Sequence, residues 1–218
     1  MSEIIYRDND IAVCIKPVGV GSESPGMPEL LMQELSVKEV FCVHRLDTAV
    51  AGLMVYALNK KSAASLSSQI ADRRFRKEYL AIAAGRPETD EGTFEDLLFR
   101  DRAKNKSYVV RRKRAGVKDA KLDYRVLDCR GGMSLIKILL HTGRSHQIRV
   151  QFSSRGMPLL GDVKYGSQTK DCNIALWSYS LGFVHPHTKK PLSFSALPEN
   201  AYPWDRFAET FNNINSED

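Results

Sequence analysis

No stretch of this sequence stays apolar for anything near the ~20 residues a membrane-spanning helix needs. Its first residues, Met1 to Asp8, carry neither the basic start nor the apolar run of a secretory signal. Cysteine is scarce and scattered: Cys14, Cys42, Cys129 and Cys172 include no Cys-x-x-Cys pair, and three of them fall in strand-like segments. That pattern argues against a disulfide framework or a thiolate metal site, and for buried free thiols in a cytoplasmic protein. There is no low-complexity tract, internal repeat or long linker. A phosphate-cradling glycine loop with a following lysine is missing, as is any Asp-Phe-Gly segment, so phosphoryl transfer is excluded despite a His-Arg-x-Asp sequence. What is present is a globular composition, 43% hydrophobic and 27% charged over 218 residues, suited to one large domain or two small intimate ones with a sizeable core.

Charge is unevenly placed. The chain carries a formal +6, yet Arg100 to Lys121 alone holds ten Lys/Arg against two Asp, a net +8 that leaves −2 for everything else. One concentrated basic patch on a near-neutral body suits a polyanion such as nucleic acid, and equally a solvated lysine-rich hairpin.

Periodicity and turn chemistry give an α+β reading. Ile4 to Tyr6 and Ile11 to Ile15 form a strand pair, and Lys16-Pro17-Val18-Gly19 turns the chain into a short helix over 28–35. Asn59 caps a helix reaching about Asp72, with Ala63, Leu66 and Ile70 on its apolar stripe. Tyr79 to Ala84 is a strand. Residues 108–112, 122–129 and 134–140 read as antiparallel strands, the last pair turning at Gly131-Gly132. Ser145 caps a helix to about Ser154, ended by Gly156 and Pro158. Strands at 174–184 and 192–194 precede a terminal helix at 202–211. A mixed, largely antiparallel sheet with helices packed on it is expected.

Three clusters carry chemistry beyond the basic patch. His44-Arg45-Leu46-Asp47 lies between the apolar runs 40–43 and 52–58, so its carboxylate sits on a loop between core elements, a costly place unless it is paired or used. Arg76-Lys77-Glu78-Tyr79 is the second. In the third, Thr142 to Arg149, a Gly-containing turn opens a helix and offers an anion site. Arg149, flanked by Ile148 and Val150, should reach inward and need a buried carboxylate, for which Asp47 is the natural candidate. A purely structural Arg–Asp pair fits the same residues.

With these motifs assembled, the chain resembles the RluA-type pseudouridine synthases. His44-Arg45-Leu46-Asp47, then Gly52-Leu53-x-Val55-x-Ala57, is similar to that family's signature around its catalytic aspartate, preceded by Lys16-Pro17-x-Gly19. Lys77-Glu78-Tyr79-Leu80-Ala81 matches the stretch bearing the active-site tyrosine. Thr142 to Val150 matches the arginine motif, followed by Gly156-x-Pro158-x-x-Gly161-Asp162-x-x-Tyr165-Gly166, and His185-Pro186 and Leu197-Pro198 fit the C-terminal end. The matches keep their order from about Ile4 to Pro198. Two departures stand out. Val50-Ala51 replaces the usual Thr-Ser, so the loop must be held by packing, and Trp177 stands where histidine is common.

The resemblance implies a pseudouridine synthase catalytic fold over 1–218, with no room for an N-terminal S4 domain. It implies a cytoplasmic enzyme, by default a monomer, acting on ribosomal or transfer RNA. Uridine isomerisation breaks the bond from ribose to the base nitrogen, rotates the uracil and rejoins it through carbon. No net redox change or group transfer occurs, so neither cofactor nor metal is expected. Asp47 would be the essential carboxylate, as nucleophile or as base in an elimination, Tyr79 would stack on the everted uracil, and Arg149 would keep Asp47 ionised. Arg45 would fill the space the base leaves. RNA contacts would come from His44, Arg45, Lys77, Arg111, Arg112, Arg114, Arg144, His146 and Gln147. A non-catalytic RNA-binding protein on the same fold is the alternative.

Overall fold

The computed structural model describes residues 3–214. The chain divides into two compact units, one made of 1–77 and 177–197, the other of 78–176 and 198–218.

The first unit is built on strands β1 (Glu3–Arg7), β2 (Ile11–Lys16), β3 (Phe41–Cys42) and β4 (Ala51–Ala57), with helices α1 (Met27–Leu35) and α2 (Lys60–Ala71). β1, β2 and β4 pair antiparallel in succession. β3 lies antiparallel to the end of β4, Phe41 opposite Ala57 and Cys42 opposite Tyr56, so the segment between them is a long hairpin connection. The late strands β10 (Leu176–Val184) and β11 (Pro191–Ser195) complete the unit. β10 runs parallel to the start of β4 and antiparallel to β11. The sheet is therefore mixed and mostly antiparallel, as expected.

Alternation explains the core. Ile11 and Val13, Leu53, Val55 and Ala57, and Leu181 and Phe183 fall on one face by the two-residue period and bury against Leu66 of α2 and Phe75. α2 begins where the sequence indicates: Asn59 Oδ1 accepts the Ser62 N–H at 2.9 Å. Gly52 has φ +120°, and a Cβ there would lie 2.5 Å from the Ser178 backbone nitrogen. Only glycine lets β10 approach β4 this closely, and the Ser178 hydroxyl then donates to the Leu53 carbonyl at 2.8 Å.

The second unit carries β5 (Arg76–Ala84), β6 (Glu91–Asp101), β7 (Lys106–Val110), β8 (Val117–Arg130) and β9 (Met133–Leu140), with α3 (Gln147–Ser153) and α4 (Ala208–Ile214). Strand order is β5-β9-β8-β6-β7, antiparallel throughout. The β8–β9 turn falls at Gly131-Gly132, both with positive φ. β6, eleven residues long, is absent from the sequence reading; its inward Phe94 and Leu98 are spaced among charges and give too sparse an apolar pattern. Phe94, Tyr124 and Phe152 pack edge-on and tilted, seating α3 on β6 and β8.

Other expectations shift in detail. α3 starts one residue late, with His146 rather than Ser145 at the cap and in the left-handed region. The terminal helix divides into a 3-10 turn at Trp204–Phe207 and α4. The cysteines are all free, but only Cys14 is fully buried, and Cys129 is exposed.

Candidate active site

In the first unit, Asp47 lies on the connection between β3 and β4, and the chain around it is tethered on several sides. The Ser22 hydroxyl donates to the Leu46 carbonyl at 2.9 Å and accepts the Leu46 N–H at 3.0 Å, an exchange of both backbone groups through one side chain. The Gly19 N–H donates to the Thr48 carbonyl at 2.8 Å, and the Val50 N–H closes a turn on the Asp47 carbonyl at 2.9 Å. The Cys42 thiol donates to the His44 carbonyl at 2.9 Å. Val50 and Ala51 are buried, as packing requires. Packing is only part of the answer: Ser22, which the sequence reading passed over, supplies hydroxyl contacts from outside the signature.

Lys16 is fully buried at the end of β2. Its Nζ donates to the carbonyls of Pro17 at 2.8 Å and Val20 at 2.9 Å, with the Thr48 carbonyl at 3.4 Å. Burial pulls its pKa down to about 8, against the opposing pull of the Asp47 charge. The Lys16-Pro17-x-Gly19 motif thus ties its own turn to the residue following Asp47.

His44 and Arg45 diverge. His44 is only 8% exposed, packs against Phe75 and accepts the Val55 N–H on Nε2 at 3.1 Å. Burial, aided by the Lys77 charge, lowers its pKa to about 3, so the ring is neutral with its proton on Nδ1. That nitrogen has no hydrogen-bond partner among the described residues. In the RNA-free protein this ring is enclosed and neutral. Arg45 instead points into solvent, its Nη1 3.0 Å from the Glu23 carboxylate. Lys77 is half-buried, and burial lowers its pKa. Trp177 donates from Nε1 to the Ala196 carbonyl at 2.6 Å.

The same unit holds the grouping among the described residues that most resembles a metal site, Asp8, Asp10 and His185. Hydrogen bonds occupy it. His185 Nδ1 accepts the N–H groups of His187 and Thr188, leaving Nε2–H to donate to Asp8 at 2.7 Å. Asp8 also accepts from the Tyr6 hydroxyl and the Asp10 and Ile11 amides; burial opposes ionisation, but these donors hold its pKa below the usual carboxylate value. Asp10 Oδ1 takes the Asn59 amide and the Ser62 hydroxyl. Both nitrogens of His185 are used, so the cluster is a structural clamp.

In the second unit, Tyr79 is buried on β5 opposite Ile138 of β9. Arg149, on α3, meets the inward-reaching expectation: it is 5% exposed, and Nε and Nη2 donate to the two oxygens of Asp162 at 2.7 and 2.8 Å. Asp162, itself 1% exposed, is a carboxylate the sequence reading quoted within a motif but did not assign to this role. A planar fork on a carboxylate fixes direction as well as charge. The guanidinium also lies 5.1 Å from the Tyr165 ring centre, as does Lys106 Nζ. The Tyr165 hydroxyl accepts the Ser107 N–H at 2.8 Å and meets His146 Nδ1 at 2.9 Å, while the Ser107 hydroxyl donates to the Ser145 carbonyl at 2.6 Å. The first residues of β7, and so the root of the basic segment, are joined to the arginine motif.

The expected anion site at the start of α3 is not formed as read. Gln147 is buried, and its Oε1 accepts the Arg144 N–H at 3.0 Å and the Thr142 hydroxyl at 2.8 Å. Gln147 therefore shapes the turn. Arg144 remains near the basic segment, its Nε donating to the Asp119 carbonyl at 2.9 Å. Arg111, Arg112 and Arg114 are exposed on the connection from β7 to β8, Arg114 stacking 5.0 Å above Phe99.

This geometry has relatives. Residues 10–154 match the sequence profile described as RNA pseudouridylate synthase. An uncharacterized RNA pseudouridine synthase of Aquifex aeolicus is 36% identical over 209 residues, which cover 84% of this chain and 65% of that one. Another, of Bacillus subtilis, is 35% identical over 214 residues, covering 91% and 70%. The ribosomal large subunit pseudouridine synthase D of Borreliella burgdorferi is 34% identical over 197 residues, covering 82% and 60%. Among solved structures, human RNA pseudouridylate synthase domain containing 4 shares the fold, with a TM-score of 0.76 at 22% identity over 98% of this chain and 93% of that one. The chain belongs to the RNA pseudouridylate synthase family, and its class of reaction is isomerisation of uridine within RNA.

Proposed function

We propose that this protein converts specific uridines of ribosomal or transfer RNA to pseudouridine, with Asp47 as the essential carboxylate. The observation that carries this is the tethering of the Asp47 loop: Ser22 on Leu46, and Gly19 and Lys16 on Thr48, fix the backbone on both sides of one acid. Immobilising a reactive group before substrate arrives is what catalysis by positioning requires.

In the proposed reaction the C1′–N1 bond breaks, the uracil turns, and a C1′–C5 bond forms. The C5 hydrogen leaves as a proton and N1 gains one, so the change is an isomerisation without a cofactor. Asp47 acts as nucleophile or base in its ionised form. Tyr79 stacks on the everted base, and Arg149, aligned by Asp162, serves as the fixed cation. Pairing of Arg149 with Asp47 is carried forward from the sequence motifs alone. Arg45 enters the space left by the base, offsetting the few kcal/mol that eversion costs. Arg111, Arg112, Arg114, Arg144, His146 and Lys77 are the proposed contacts to RNA, mainly through phosphates. A cytoplasmic monomer is the proposed working form. No helix among the described residues is long and apolar enough to cross a membrane.

The test uses RNA carrying tritium at C5 of uridine, since rejoining through C5 releases the label. Asp47→Asn is expected to fold, to bind RNA as the native protein does, and to release tritium only at background. Near-normal release would refute the assignment of Asp47.

A further inference from the structure

We propose that Glu23 holds Arg45 in the RNA-free protein and must release it when RNA enters, which makes Glu23 a determinant of affinity and selectivity at this loop. The inference rests on the reading of Arg45 given above and adds a residue that reading does not contain.

The segment Gly21-Ser22-Glu23-Ser24-Pro25 has the composition of a mobile surface loop, yet it is fixed beside the Asp47 loop. Ser22 exchanges both backbone groups of Leu46, and the Ser22 carbonyl accepts the Tyr56 hydroxyl at 3.0 Å from within the β-sheet. The Met27 N–H donates to the Gly21 carbonyl at 2.9 Å, and Lys16 Nζ holds Val20. Residues 22 and 46 are therefore locked side by side, and the side chains at 23 and 45 leave this clamp together. They meet as an ion pair, Arg45 Nη1 to Glu23 Oε2 at 3.0 Å.

The pair has two opposed qualities. Its base is rigid, so the carboxylate is always at hand. Its charged ends are 60% and 56% exposed, so it forms in water and is weakly held. An arginine parked in this way keeps one direction in the free protein and leaves at little cost. RNA with a readily everted nucleotide gives Arg45 both a phosphate and a vacated stack, and overcomes Glu23; RNA lacking that geometry gives neither.

The experiment measures tritium release from bulk ribosomal and transfer RNA labelled at C5 of uridine and isolated from cells lacking this protein. Native protein, E23Q, R45A and the double variant are compared, with thermal unfolding confirming that each is folded. E23Q is expected to lower the half-saturating RNA concentration about two- to fivefold, the range an exposed ion pair commands, with a smaller change in kcat. The gain should shrink as salt rises, because salt screens the pair in the native protein. It should vanish in the R45A background. An unchanged or raised half-saturating concentration in E23Q, or the same gain without Arg45, would overturn the proposal. R45A with native kinetics would instead overturn the reading of Arg45 itself, a result distinct from an inert E23Q beside an impaired R45A.

Discussion

The loop bearing Asp47 and the helix bearing Arg149 solve one problem, immobilising a charged side chain, by different physics. Around Asp47 the backbone is fixed: a serine hydroxyl, a thiol, a backbone amide and a buried lysine answer main-chain groups on both sides of the acid. Around Arg149 the side chain itself is fixed, by a carboxylate fork and a tyrosine ring. Backbone tethering fixes where a side chain starts, whereas side-chain tethering sets direction and charge together. A group that must react suits the first arrangement; one that must hold still suits the second.

The contrast can be broken most severely at Asp162. Asp162→Asn leaves the buried guanidinium facing a neutral partner and should cost about 3–5 kcal/mol in urea unfolding, with loss of activity following loss of structure. Ser22→Ala should be milder, about 1–3 kcal/mol, because two neutral hydrogen bonds go and the Leu46 amide and carbonyl are left buried. Its kcat should fall more than its stability predicts, since the backbone at Asp47 gains freedom; kinetics and unfolding on the same preparation check this. Replacing Arg111, Arg112 and Arg114 with Gln should leave both tethers intact and reduce the slope of log affinity against log salt by about 2. Titrating RNA binding across salt concentrations reads that slope, and an unchanged value would take these residues out of the interface.

A pH dependence is expected at Lys16. Burial lowers its pKa in the folded protein to about 8, against 10.5 for a solvated lysine. Between those values the unfolded chain binds more protons than the folded one, so this residue contributes stability that rises with pH across that window. Lys16→Met should remove the rise. The check is the difference in unfolding free energy between the two proteins from pH 7 to 10.

Much of this was legible in the sequence, and the omissions share causes. Asn59 announced α2 because capping is local, and the apolar alternation of β2 and β4 announced strands for the same reason. Arg149 was read as inward-facing from its neighbours, but Asp162 lies thirteen residues away outside any helical or strand period, so no local rule joined them. Ser22 and Glu23 stand in a Gly-Ser-Glu-Ser-Pro-Gly stretch that composition marks only as loop. His146 adopts a left-handed backbone without being glycine, which moved the start of α3 by one residue and turned Gln147 inward. For His44, the burial that makes it a neutral acceptor for Val55 is supplied only by the fold.

The glycine at 52 sets a spacing that no chemical repair elsewhere could restore. With a lone hydrogen there, β10 settles near enough for the Ser178 hydroxyl to reach across to β4. A single methyl would act as a wedge at the very start of the strand that follows Asp47. The harm would spread along the seam between the two strands, and an alanine substitution should lower the melting temperature without altering any polar group.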